Sequence, residues 1–186
     1  MAWTTLAKVK EYLGITDTAS DTLLTDLLAR LQEAAESYLD RKIESATYTE
    51  QKDGDGTDKL VTHQWPIISV TSLHDDTDRN FTAAFLIAAA DYVLYKDRGL
   101  IRLDGLTFAS GIQNVKIVYV AGYATVPTDL VQALIELIAA RFRQKEMQGL
   151  KSLALGAYSI SFDPGKDELP DEVRAIFDSY RRQRVA

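Results

Sequence analysis

Few residues in this chain have the type and spacing for chemistry. "DGDGTD", residues 53–58, has the alternating acids of a calcium loop. Counted from Asp53, however, Asp58 stands where such a loop needs glycine, and Gln64 where it needs a bidentate glutamate. "HDDTDRN", residues 74–80, fails by the same count. With His63 and His74 as the 2 histidines, no multi-histidine metal site can form within one chain. Ser72, His74 and Asp75 are near neighbours at a predicted strand end, where they cannot converge as nucleophile, base and orienting acid. No Walker motif, dinucleotide fingerprint or other phosphate-cradling glycine loop occurs. The expectation is therefore no catalytic residue, no metal and no cofactor, with both histidines at the surface.

The elements that remain are those of a scaffold. At 186 residues the chain is long enough for one buried core, or for a core with a small inserted lobe. Its 46% hydrophobic and 26% charged residues are those of an ordinary globular protein. The absence of cysteine excludes disulfides and thiolate metal sites. No basic leader with an apolar stretch opens the sequence, and the longest apolar run, Ala83 to Ala90, is far short of the roughly 20 residues that cross a bilayer. This predicts a soluble, cytoplasmic protein with no membrane partner.

The net charge of −6 is unevenly spread. Residues 1–140 hold 12 basic against 20 acidic side chains, a balance of −8, whereas residues 141–186 hold 9 against 7, a balance of +2. The basic excess ends in Arg181, Arg182 and Arg184, which suit either an acidic partner or the negative end of a helix dipole.

Periodicity predicts helices at both ends and strands between. Thr4 or Thr5 caps a short helix carrying Leu6, Val9 and Leu13, which Gly14 ends. Asp21 caps a longer one, with Leu24, Leu27, Leu28, Leu31, Ala35, Tyr38 and Leu39 on one stripe. Strands are predicted at 47–51, 59–62, 67–73, 92–95, 100–103 and 115–120, as an insert of hairpins turning at Asp53–Gly56 and Lys96–Gly99. Residues 81–90 suit either a helix or a loop.

After Pro127 the chain returns to helix. Leu130, Val131, Leu134, Ile135, Leu137, Ile138 and Phe142 cover an arc of about 160° at about 100° per residue, wide for one packing neighbour. In "GLKSLALGAYSISFDPG", residues 149–165, Tyr158, Ile160 and Phe162 alternate with serines, predicting one short strand with no sequential partner. A last helix follows Pro170, with Val173, Ile176, Phe177 and Tyr180 on one face.

In order and spacing these motifs resemble the head-to-tail connector, or adaptor, proteins of tailed bacteriophages and prophages. The resemblance is carried by "LAKVKEYLGIT", "YLDRKI", "DGDGTDKLVTHQWPIISVTSL", "VKIVYVAGYATVPTDLVQALIELIAARF", "GLKSLALGAYSISF" and "LPDEVRAIFDSYRR". The stretch from Asp75 to Gly111 is longer than compact members need. The resemblance implies an α+β fold, mainly a bundle of about four α-helices with an inserted β-hairpin lobe. Residues 1–45 would supply the N-terminal helices, 46–122 the lobe, and 123–186 the central and C-terminal helices.

It further implies a structural, non-enzymatic protein of the virion neck, assembled in the bacterial host cytoplasm. Its partners would be the portal protein, a stopper or tail-completion protein, and itself as a homo-oligomeric ring, twelve-fold in that family. Genomic DNA would pass through the ring without specific binding. On this reading the wide arc of the central helix meets its own bundle on one side and a neighbouring subunit on another. Tyr158, Ile160 and Phe162 form an inter-subunit strand, and Phe177, Tyr180, Arg181, Arg182 and Arg184 bind the portal. The alternatives are another neck or tail-completion protein, and a nucleic-acid-binding helical module, against which the acidic balance argues.

Overall fold

The computed structural model describes residues 2–146, 152–155, 158–161 and 171–181. Phe162, Arg182 and Arg184 lie outside the described residues. The fold class is α+β, and the chain divides into a helical unit, Met1–Asp40 with Val126–Ala186, and a β unit, Arg41–Thr125.

The helical unit begins with α1, Leu6–Leu13. The Thr5 hydroxyl accepts the Lys8 N–H at 3.4 Å, and Gly14, at φ 70°, closes the helix in the left-handed conformation. In α2, Asp21–Leu39, the cap position falls on Ser20. Asp21, expected as the cap, lies in the first turn, where its carboxylate pairs with Lys10 of α1 at 2.6 Å.

The central helix α3, Thr128–Glu146, packs against α1, α2 and α4, Asp171–Tyr180. Its Leu130, Leu134, Ile135, Leu137, Ile138 and Phe142 are buried, and Ala133 and Ala139 with them. The wide apolar arc is thus used within the chain. Three helical neighbours within the chain cover most of that width, leaving Val131 half-buried.

Strand β7, Ser152–Leu155, pairs antiparallel with β8, Tyr158–Ser161, placing Leu153 opposite Ile160. The strand predicted to stand alone therefore has a sequential partner. "SLAL" alternates its leucines with small residues over only four positions and has no β-branched or aromatic residue, so its strand signal is weak.

The β unit contains β1, Ala46–Gly54; β2, Lys59–Val61; β3, Ile67–Asp75; β4, Tyr92–Tyr95; β5, Leu100–Leu103; and β6, Gly111–Ala121. They form two antiparallel sheets, ordered β1-β6-β3 and β2-β5-β4. Of the two predicted hairpins, β4–β5 forms, turning through Lys96–Arg98 to Gly99 at φ 60°. The Asp53–Gly56 turn instead carries the chain from one sheet to the other. Residues 81–90 resolve into a loop with short 3-10 turns at Ala83–Phe85 and Ala89–Asp91.

Both sheets contribute to one core of Leu60, Ile67, Leu73, Ile101, Leu103, Phe108, Val115, Ile117, Tyr119 and Ala121. Long-range strand pairing, with Ala46 opposite Ala121, makes this core possible. Phe108 enters it from a loop, outside any periodic pattern.

Candidate interaction surfaces

Acidic side chains of "DGDGTD" and "HDDTDRN" are occupied in holding loops. Asp55 accepts the N–H and hydroxyl of Thr57 at 2.9 and 2.7 Å, and these bonds hold its carboxyl below the usual range. The Arg102 guanidinium, 2.5 Å from Asp58, lowers that carboxyl likewise. Asp53 accepts from the Gln113 N–H at 2.8 Å. Buried Asp76 accepts the N–H groups of Asp78, Asn80 and Phe81 at 2.7–2.9 Å, which folds "DDTDRN" around one carboxylate.

Asp75 does not approach a serine–histidine pair; it accepts from Ala109 N–H at 2.7 Å and from the Asn114 amide at 3.0 Å. His63 and His74, expected at the surface, are half-buried. The His63 N–H donates to Glu50, and the His74 ring meets Phe81 edge-on at 6.3 Å. Among the described residues no group of three or more His, Cys, Asp or Glu could hold a metal ion.

The C-terminal helix presents less surface than its sequence suggests. Val173 and Phe177 are buried, and Phe177 lies 6.3 Å from the Tyr38 ring of α2. Tyr38 donates its hydroxyl to Asp178 at 2.6 Å, a bond that raises the phenol above its ordinary pKa. Tyr180 donates to Asp129 of α3 at 2.8 Å. Of the proposed docking residues, Phe177 therefore offers no free ring in this chain. Arg181 remains exposed, its guanidinium 5.0 Å from the centre of the Tyr38 ring.

The larger apolar exposure lies on the sheet β2-β5-β4. Ile101 and Leu103 of β5 face the core, so Leu100 and Arg102 face outward. Opposite Leu100 stand Val61 of β2 and Tyr95 of β4, an apolar row across all three strands. Opposite Arg102 stand Lys59 and Val93. Val61, Val93 and Tyr95 are 46%, 54% and 42% exposed, too open for ordinary core contact. A groove on this face has Asp58, Val93, Tyr95, Arg102, Asp104 and Leu106 among its lining residues. Sequence reasoning missed this surface. The signal was the unbroken apolar "YVLY" of β4, which a strand with one solvated face does not need.

A family model described as head completion protein matches residues 2–183. Among solved structures, the chain is similar to one from the neck of an empty gene transfer agent (GTA) particle computed with C6 symmetry. That match has a TM-score of 0.66 and 21% identity, over 98% of this chain and 91% of the other. A second, from the neck of a native GTA particle computed with C12 symmetry, has a TM-score of 0.61 and 23% identity, over 97% and 90%. A third, from the virion of a native GTA particle, has a TM-score of 0.62 and 22% identity, over 98% and 91%. At these identities the likeness is one of fold. No curated protein matches the chain.

Proposed function

The chain belongs to the head completion protein family, and from that premise we propose that it is a structural adaptor of the virion neck. In this reading it forms a ring that joins the portal vertex of the capsid to the tail or stopper and continues the DNA channel. The observation that carries it is the family match, which runs through both units from residue 2 to residue 183. The fold shared with chains from GTA necks supports it, because those necks were computed with C6 and C12 symmetry.

Charge supports the same reading. A body with a net charge of −6 repels the phosphate backbone, so duplex can slide past it without being held. Docking to the portal falls to the exposed end of α4, where Tyr180 and Arg181 lead into Arg182 and Arg184. The β7–β8 hairpin offers a strand for pairing with a neighbouring subunit or with the portal.

The test is a pulldown of the tagged chain against the portal and tail-completion proteins of the same genome, with the mass of the complex measured. A ring on the portal is expected. A chain that captures neither protein and stays a monomer beside the portal overturns the proposal. Tight binding of nonspecific duplex at physiological salt would support a nucleic-acid module in its place.

A further inference from the structure

The backbone of β4 shows which way its open hydrogen-bonding groups point. Leu103 N–H donates to the Asp58 carbonyl at 2.7 Å and Thr62 N–H to the Gly99 carbonyl at 2.7 Å, so residues 99, 101 and 103 turn their backbone groups toward β2. Asp104 N–H donates to the Asp91 carbonyl at 2.9 Å, so residues 100, 102 and 104 turn toward β4. Residues opposite one another in an antiparallel ladder face each other or both face away. Tyr92 and Leu94, opposite Leu103 and Ile101, therefore direct N–H and C=O to the outer edge of the sheet.

Among the described residues no strand pairs with that edge. It also lacks the usual protection, since "YVLY" contains no charge and no proline, and its outward side chains, Val93 and Tyr95, are apolar and exposed. Backbone donors and acceptors in line with an apolar groove form a seat for one more strand.

We propose that the occupant is β8 of a second copy of this chain, added to β4 as a further strand. The inference rests on the ring assembly proposed above and gives that assembly a specific contact. Strand β8 is held by β7 on one side, and among the described residues no strand takes the other. Both β4 and β8 are four residues long.

Charge selects this segment. Residues 141–161, which lead into and through the hairpin, hold Arg141, Arg143, Lys145 and Lys151 against Glu146, a balance of +3. The groove lining holds Asp58 and Asp104 against Arg102, a balance of −1. Because β4 and β8 are different elements, their contact is head-to-tail, the kind that propagates around a ring.

The absence of native cysteine makes cross-linking clean. A Val93→Cys, Ile160→Cys double variant, assembled on the portal and treated with a short bis-maleimide, is expected to give a ladder of covalent multimers. Each single variant gives none. A ring of normal mass without the ladder overturns the β4–β8 contact and leaves the adaptor reading standing; no ring on the portal, with wild-type chain, overturns both.

Two further variants read the edge itself. Val93→Lys changes an exposed side chain and is expected to weaken subunit association at least tenfold with the circular dichroism spectrum unchanged. Leu94→Pro removes one outward N–H and is expected to block assembly, while Leu94→Ala, which loses the side chain and keeps the N–H, assembles. Association of Val93→Lys at wild-type strength overturns the proposal.

Discussion

Tyr119 of β6 donates its hydroxyl hydrogen to Glu50 of β1, and the same oxygen accepts the Gln64 N–H at 3.0 Å. Tyr48 stands directly opposite Tyr119, so Glu50, two residues on, reaches it diagonally on the same face. Glu50 also accepts the His63 N–H at 3.0 Å and lies 3.2 Å from the Lys52 ammonium. One buried phenol thus ties the loop before Trp65 to the sheet β1-β6-β3.

Replacing Tyr119 with Phe deprives the Gln64 N–H of its acceptor and Glu50 of a donor, at a cost of about 1–3 kcal/mol in thermal or urea unfolding. Burial, and then the Glu50 bond, raise the Tyr119 phenol above its ordinary pKa. The neutral phenol is therefore favoured in the fold. Its stabilising contribution is full below the unfolded pKa and is lost as pH rises from there toward the folded value. Wild type should lose stability above pH 10 more steeply than Tyr119→Phe. Parallel pH profiles for the two proteins would remove Tyr119 from the account.

How much of this was legible in the sequence depended on the range of the signal. The α1 stop at Gly14, the β4–β5 turn at Gly99 and the stripes of α2 and α4 are local, and residue type alone marked them. Pairing is not local. Nothing in residues 46–54 announces β6 as their partner, because alternation defines a face and not a neighbour. The candidate surfaces failed for the same reason. Phe177 looked like an anchor until Tyr38 was placed beside it, and the row Val61, Leu100 and Tyr95 exists only once three strands are aligned.

Gly54 carries a prediction that its local reading did not contain. The turn Asp53–Gly56 suggested glycine for its backbone freedom, and Gly56 does adopt φ 80°. Gly54 is required for space, since a Cβ there would lie 1.9 Å from the Ala109 carbonyl oxygen. Gly54→Ala must push apart β1 and the 109–111 segment, breaking the Gly54 N–H bond to Asn114 at 2.8 Å. The expected loss is roughly 1–3 kcal/mol, of the size of other overpacking changes. A melting temperature equal to wild type would show that the loop yields freely.

Arg41 is buried with its guanidinium 3.7 Å from the centre of the Trp65 ring and 5.7 Å from that of Tyr123, and it donates to the Trp65 carbonyl. Desolvation lowers its pKa below the ordinary arginine value. The planar cation fills a slot that an ammonium cannot stack in, so Arg41→Lys should cost about 1–2 kcal/mol although the charge is kept. Trp65 fluorescence of the folded variant should shift with it. An unchanged urea midpoint would mean that the stacking contributes nothing net.

Phe177 and the arginines that follow it separate stability from docking. Phe177 is fully buried beside Tyr38, so Phe177→Ala should destabilise the chain by about 3–5 kcal/mol, whatever the partner. Arg181 is exposed over the Tyr38 ring, and exposed charges of this kind contribute less than roughly 1 kcal/mol each. The triple change Arg181→Glu, Arg182→Glu and Arg184→Glu should leave the Tm within a few degrees of wild type. It should weaken binding to the portal and make that binding less sensitive to salt, because the reversed charges no longer attract an acidic groove. Equal portal affinity for reversed and native chains at low salt would sink the docking role. Loss of affinity for nonspecific duplex with portal binding intact would move these arginines to nucleic acid instead.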